Sequence, residues 1–156
     1  MTLALICVAA GNLDVAEDNI ERSMRLDPLS PNRNIQLNIM AALRLAQRRF
    51  AEAVDASRDA VQIDGSPLGL GLLASAKAKL DDEEGTRQVL GKFRALSRMT
   101  LEQVAARFYA RPEHCAIFME GLERFDADPV PAQSKAVMAT SKNSPFPGGA
   151  NLTQSG

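Results

Sequence analysis

The stretch GNLDVAEDNIERSMRLDP, Gly11 to Pro28, returns 37 residues further on as RRFAEAVDASRDAVQIDG, Arg48 to Gly65. Leu13 aligns with Phe50, Ala16 with Ala53, Leu26 with Ile63 and Asp27 with Asp64. Both copies place apolar or small residues at steps of three and four, which makes one face of an α-helix. In the first copy the face is Leu13, Ala16, Ile20, Ser23, Met24 and Leu26; in the second it is Phe50, Ala53, Val54, Ser57, Ala60, Val61 and Ile63. Charged residues fill the opposite side, with Asp18 before Arg22 and Glu21 before Arg25 at the favourable i,i+4 order. A chain that writes one amphipathic helix twice must bury two like faces, and a lone helix pair cannot do so without a neighbour to lean on.

Each copy follows another apolar segment, Leu3–Ala10 before the first and Ile35–Ala46 before the second. The second segment, IQLNIMAALRLA, is apolar nearly all round, as in a helix covered on several sides. The first is read as the back half of a buried helix. The unit is therefore helix, tight turn, helix, closed by Asp27-Pro28 or Asp64-Gly65, where proline and glycine do not continue a helix. A third unit opens at Ser66-Pro67, a hydroxyl cap followed by proline. It continues through LGLGLLASAKAKL to a partner helix with Val89, Leu90, Phe93 and Leu96 on one side. Thr86 takes the place of Ala16 and Ala53, and Asp81–Glu84 put acids at the helix start, where the dipole favours them.

Helix pairs at this period resemble the tetratricopeptide repeat (TPR) family. The likeness rests on Gly11 in the turn, with Arg48 in its place in the second unit, on Leu13 or Phe50 after it, on Ala41 opposite Ala53, and on the closing Asp27-Pro28. The large aromatic of that family's first helix is missing. The resemblance implies an all-α fold: a TPR-like superhelix of antiparallel helix pairs over residues 1–125. The units fall at about 1–30, 31–65 and 66–98, with capping helices at 100–125 and a disordered tail at 126–156. Within the capping part, Thr100 starts one helix and Pro112 another. Phe108, Arg111-Pro112-Glu113 and Phe118-Met119-Glu120-Gly121-Leu122 also resemble the C-terminal TPR region of bacterial class III adenylate/guanylate cyclases and of winged-helix regulators. On that reading the chain is the C-terminal part of a longer ancestral protein, a regulatory segment whose full-length relatives carry a covalently linked cyclase or DNA-binding domain.

The chain of 156 residues carries 18 basic and 19 acidic side chains, a formal net charge of −1, so its balance points to neither nucleic acid nor an anionic membrane. The opening apolar run has no leading Lys or Arg and is too short to span a bilayer. Cys7 and Cys115 stand far apart, which suits a reducing, cytoplasmic setting. Asn151-Leu152-Thr153 spells a glycosylation sequon without an export signal.

No residue pattern points to catalysis, a cofactor or a metal. Gly69-Leu70-Gly71 lacks the preceding strand and following Lys-Ser/Thr of a phosphate loop and reads as close helix packing. His114 beside Cys115 has no second ligand in reach, and Asp81–Glu84 lacks the alternating ligands of a calcium loop. The expected function is a non-catalytic interaction module. Stacked first helices would line a concave groove for a peptide or protein partner. Ile35, Asn38, Ala42 and Leu45 would face that groove from unit two, and Leu68, Ser75 and Lys79 from unit three. Arg44, Arg48 and Arg49 form a basic cluster at the second turn that could meet an acidic peptide.

Overall fold

The computed structural model describes residues 2–125, and all regular structure in that range is helical. The tail expected at 126–156 and the sequon within it lie outside the described residues. Six helices form three consecutive pairs: α1 (Thr2–Ala10) with α2 (Leu13–Leu26), α3 (Arg33–Ala46) with α4 (Phe50–Asp64), and α5 (Pro67–Lys79) with α6 (Glu83–Leu96). Two short helices follow, α7 (Leu101–Phe108) and α8 (Pro112–Met119), and a 3-10 turn at Glu123–Phe125. Consecutive helices pack along the whole series from α1 to α6, and α1, α3 and α5 also touch in turn as an inner row.

The repeat is written in the backbone as well as in the side chains. Between the two helices of each pair one residue takes a left-handed conformation: Gly11 at φ 81°, Arg48 at φ 58° and Asp81 at φ 56°. Only the first is glycine, so two pairs carry a conformation that costs a side-chain-bearing residue about 1–2 kcal/mol. Ala16, Ala53 and Thr86, equivalent positions in the three second helices, are all fully buried. A methyl or small hydroxyl there lets each second helix close onto its first.

Local signals set the helix ends. The Ser66 hydroxyl accepts from the Gly69 amide at 3.3 Å, and the Asp82 carboxylate accepts from the Gly85 amide at 2.9 Å. Thr100 and Gln103 form a reciprocal capping box at the start of α7. Gly65 closes α4 at φ 61°.

Two expectations about the pairs need correction. The last apolar residue of each second helix, Leu26, Ile63 and Leu96, was placed on the buried stripe but is 75%, 54% and 65% exposed. Leu26 and Leu96 are the last residues of their helices and Ile63 the last but one, so each stands where its helix ends. The first helix buries Ala4, Cys7 and Val8 but leaves Leu3 and Ile6 54% and 58% exposed, so it is covered on one side only.

The larger correction concerns α7 and α8. They do not add a capping layer beyond α6. They lie across the inner row, α7 against α1 and α5, and α8 against α3 and α5. Gly71 shows how closely α7 comes down: a Cβ at that position would stand 2.9 Å from Val104 Cγ1. Close packing is thus the role of this glycine, as its sequence context suggests.

Candidate functional site

The inner face is the site expected from the repeat, and the structure fills it with the chain's own residues. The Tyr109 hydroxyl donates to the Ala42 carbonyl at 2.8 Å from a fully buried position, and burial pushes the Tyr109 phenol well above its usual pKa. The Ser75 hydroxyl donates to the Phe118 carbonyl at 2.7 Å. The Lys79 ammonium donates to the Glu120 carbonyl and, at 2.9 Å, to its carboxylate. Arg94 Nη2 donates to the Phe125 carbonyl at 2.8 Å. At the other end, the Ala110 amide donates to the Ala9 carbonyl at 3.2 Å and Arg111 Nε to the Ala10 carbonyl at 2.6 Å. Between these ties Val104, Phe108, Phe118, Leu122 and Phe125 are buried in the common core.

The expected groove residues are therefore divided. Ser75 and Lys79 do hold a peptide segment, but it is residues 118–120 of the same chain. Ala42 and Leu45 are fully buried and face no open groove. Asn38 is 5% exposed and its Oδ1 has no hydrogen-bond partner; it lies near Gly69 at the start of α5 rather than along a peptide path. Of the set only Ile35 is exposed, at 40%, and Leu68 is half-buried against the core.

The basic cluster is also divided, because its charges meet acids from the neighbouring pair. Arg44, 6% exposed, bonds to Glu17 and lies 3.4 Å from Glu21 on α2 and 3.3 Å from Glu52 on α4. Arg49 lies 3.0 Å from Glu17 and 2.6 Å from Glu52. Gln47 Nε2 donates to the other Glu17 oxygen at 2.7 Å. The Arg44 hydrogen bond, then that from Gln47, holds the Glu17 carboxyl down at about 2. Arg44 and Arg49 are thus committed to the seam between the first two pairs. The spacing that brings a like helix back every unit also brings the acids of α2 onto the arginines of the next turn.

Arg48, left-handed and exposed, points elsewhere. It borders a cleft of about 490 Å³ over the outer side of α8, whose floor is Ala116, Ile117 and Met119 and whose rim carries Glu113, Glu120 and Glu123. The bond to Lys79, which is itself pushed down by burial, holds Glu120 below the ordinary carboxylate range. Glu113 is lowered too, by its own backbone amide and by Arg111. Both carboxylates are therefore ionised at neutral pH, Glu113 beside Arg111 and Glu120 beside Lys79, and Arg48 shares the rim with them. The sequence reading missed this cleft; Glu113, Glu120 and Glu123, three glutamates in eleven positions, were its signal.

His114 packs edge-on against the Tyr109 ring, 6.0 Å between centroids, and its buried Nδ1 has no partner. Cys115 lies 3.6 Å from the Tyr109 carbonyl, and burial raises its thiol pKa. Among the described residues no three His, Cys, Asp or Glu side chains converge to hold a metal ion, and no helix is long and apolar enough to cross a membrane. Comparison with models of protein families, with curated proteins and with solved structures found no match.

Proposed function

We propose that the chain is a non-catalytic protein-interaction module built of TPR-like helix pairs, whose inner face is sealed by residues 101–125 and whose partner docks on the outside of that segment. The observation that carries this reading is the way Ser75, Lys79 and Arg94 take the main-chain carbonyls of Phe118, Glu120 and Phe125 while aromatic side chains fill the apolar bed beneath. Main-chain bonds plus aromatic anchors are how a groove recognises a peptide.

Occupancy of the inner face directs the partner outward. Leu101, Val104, Phe108, Tyr109, Phe118, Leu122 and Phe125 are all buried. At about 1.5–3 kcal/mol for each such side chain, their burial is worth on the order of 10–20 kcal/mol. A micromolar partner brings only about 8 kcal/mol. The entropy of ordering the segment offsets much of that gross burial, but the segment occupies the inner face and leaves the cleft above α8 as an open surface. Its apolar floor and mixed rim, three glutamates beside Arg48, fit a short segment with one or two apolar residues between charged ones.

Selection of displayed peptides on the full chain tests the reading. Enriched peptides should carry an apolar residue between charged ones, and Ile117→Glu or Glu120→Lys should weaken them at least tenfold. Enrichment of nothing, or of peptides indifferent to both substitutions, would refute it.

A further inference from the structure

We propose that Arg48 selects the partner, holding the carboxylate of an aspartate or glutamate side chain next to the apolar residue that enters the cleft over α8. The inference rests on the reading of that cleft as the docking surface and adds what the cleft recognises. The left-handed residues Gly11, Arg48 and Asp81 hold equivalent places in the three helix pairs, and residues 111–124 run past them. The first turn receives an arginine: Arg111 Nε donates to the Ala10 carbonyl at 2.6 Å, and a Cβ on Gly11 would stand 2.7 Å from Arg111 Cδ. Glycine is there because no side chain fits. The third turn also receives an arginine, with Asp81 Oδ1 3.6 Å from Arg124 Nη2, and aspartate is among the residues that tolerate a left-handed φ.

The middle turn differs. It supplies an arginine, a residue with no special tolerance for that backbone, at φ 58°. The side chain is exposed at the cleft, and among the described residues its guanidinium makes no hydrogen bond and no ion pair. Backbone strain persists where function requires the residue that bears it; here the fold makes no use of the side chain, which leaves a partner. The surroundings fix the sign of what Arg48 meets. Glu113 is bridged by Arg111 at 3.2 Å and Glu120 by Lys79 at 2.9 Å, so two of the three rim glutamates are already balanced. Lys79 lies close enough for its charge and that of Arg48 to act on each other, which leaves this end of the cleft positive. A planar guanidinium takes a carboxylate through two parallel hydrogen bonds. Ile117 and Met119 on the floor receive the neighbouring apolar side chain. Glu123, exposed and without an ion pair among the described residues, suits a basic residue of the same segment.

Peptides enriched by display on the full chain, then synthesised with both ends blocked so that no terminal carboxylate remains, provide the test. Each should carry aspartate or glutamate beside its apolar residue. Replacing that acid by its amide should weaken binding to the wild type about fivefold and leave binding to Arg48→Gly unchanged, the coupling expected of residues in contact. Arg48→Glu should weaken the acidic peptide by more than about tenfold, and Arg48→Lys, which keeps the charge, should keep most of the affinity. Arg48→Gly should lose affinity and yet melt at a higher temperature, because it sheds the strain together with the anchor. The proposal falls if the enriched peptides carry no acid, or if the amide matters equally in Arg48→Gly. It falls too if Arg48→Gly melts below the wild type, since the side chain would then serve its own fold. Binding that Ile117→Glu abolishes but both Arg48→Gly and Arg48→Glu leave intact overturns this inference and keeps the cleft as the docking surface. Peptides indifferent to all of these substitutions, or no enriched peptide, overturn both.

Discussion

The seam between α2 and the α3–α4 turn and the seam between α8 and the inner row are built from opposite materials. The first is ionic: Arg44 and Arg49 answer Glu17, Glu21 and Glu52 across three helices. The second is mainly apolar: Phe118, Leu122 and Phe125 are buried, and its polar ties run to main-chain carbonyls save one ion pair, Lys79 with Glu120. The ionic seam joins consecutive helix pairs, with Glu17 27 residues before Arg44, and the repeat itself delivers acids to arginines. The apolar seam joins residues some forty positions apart, as in the bond from Ser75 to Phe118. Closing such a distance loses chain entropy, and apolar burial is the interaction large enough to offset it.

The sharpest way to break this contrast is Phe118→Ala. It should remove about 3–5 kcal/mol of stability, seen in chemical denaturation, and the loss should be the same at pH 3.5 and pH 7. Next comes Arg44→Met, which keeps the side-chain stem but strands carboxylates in the ionic seam. It should cost about 2–3 kcal/mol at pH 7.

Acid titration sharpens the contrast further. The Glu17 carboxyl is depressed from an ordinary 4.5 to about 2 in the folded chain. Its contribution is fully present above pH 4.5 and is lost as pH falls from there through 2. Glu17 is one-quarter exposed, which screens the pair, so the loss should be on the order of 1–2 kcal/mol. Arg44→Met should flatten that part of the stability profile, and Phe118→Ala should leave its shape unchanged.

Two smaller effects test details. Tyr109→Phe deletes the bond to the Ala42 carbonyl and should cost about 1 kcal/mol. Arg48→Gly relieves a left-handed backbone and should raise stability by roughly 0.5–1 kcal/mol, a gain visible in thermal unfolding.

The three helix pairs were legible because they repeat. The period marks Ala16, Ala53 and Thr86 as equivalent, and all three are buried. It also marks Gly11, Arg48 and, by the same offset, Asp81, which share one backbone conformation. The filling of the inner face was not legible in this way, since α7 and α8 occur once and no period says what they touch. Composition did hold a hint. Phe108, Tyr109, Phe118 and Phe125 are four of the chain's seven aromatic residues, within eighteen positions. An end cap buries one face; a segment pressed into a groove can bury all four. Gly71 was the other hint, a missing side chain on a helix that already had a partner in α6. The ionic seam was half legible: the arginines were singled out, but their partners lie near thirty residues upstream, and nearness in space across that gap follows from the packing rather than from spacing on one helix.

The central claim is that α7 and α8 lie on the inner row of helices and not beyond α6. Proton–proton Overhauser effects in the full chain measure it most directly. The account predicts strong effects between the Val104 methyls and the Gly71 α-protons, and between the Tyr109 ring and the Ala42 region. Effects linking Val104 and Phe118 to Gln88 and Gly91 on the outer side of α6, with none to Gly71, would contradict it.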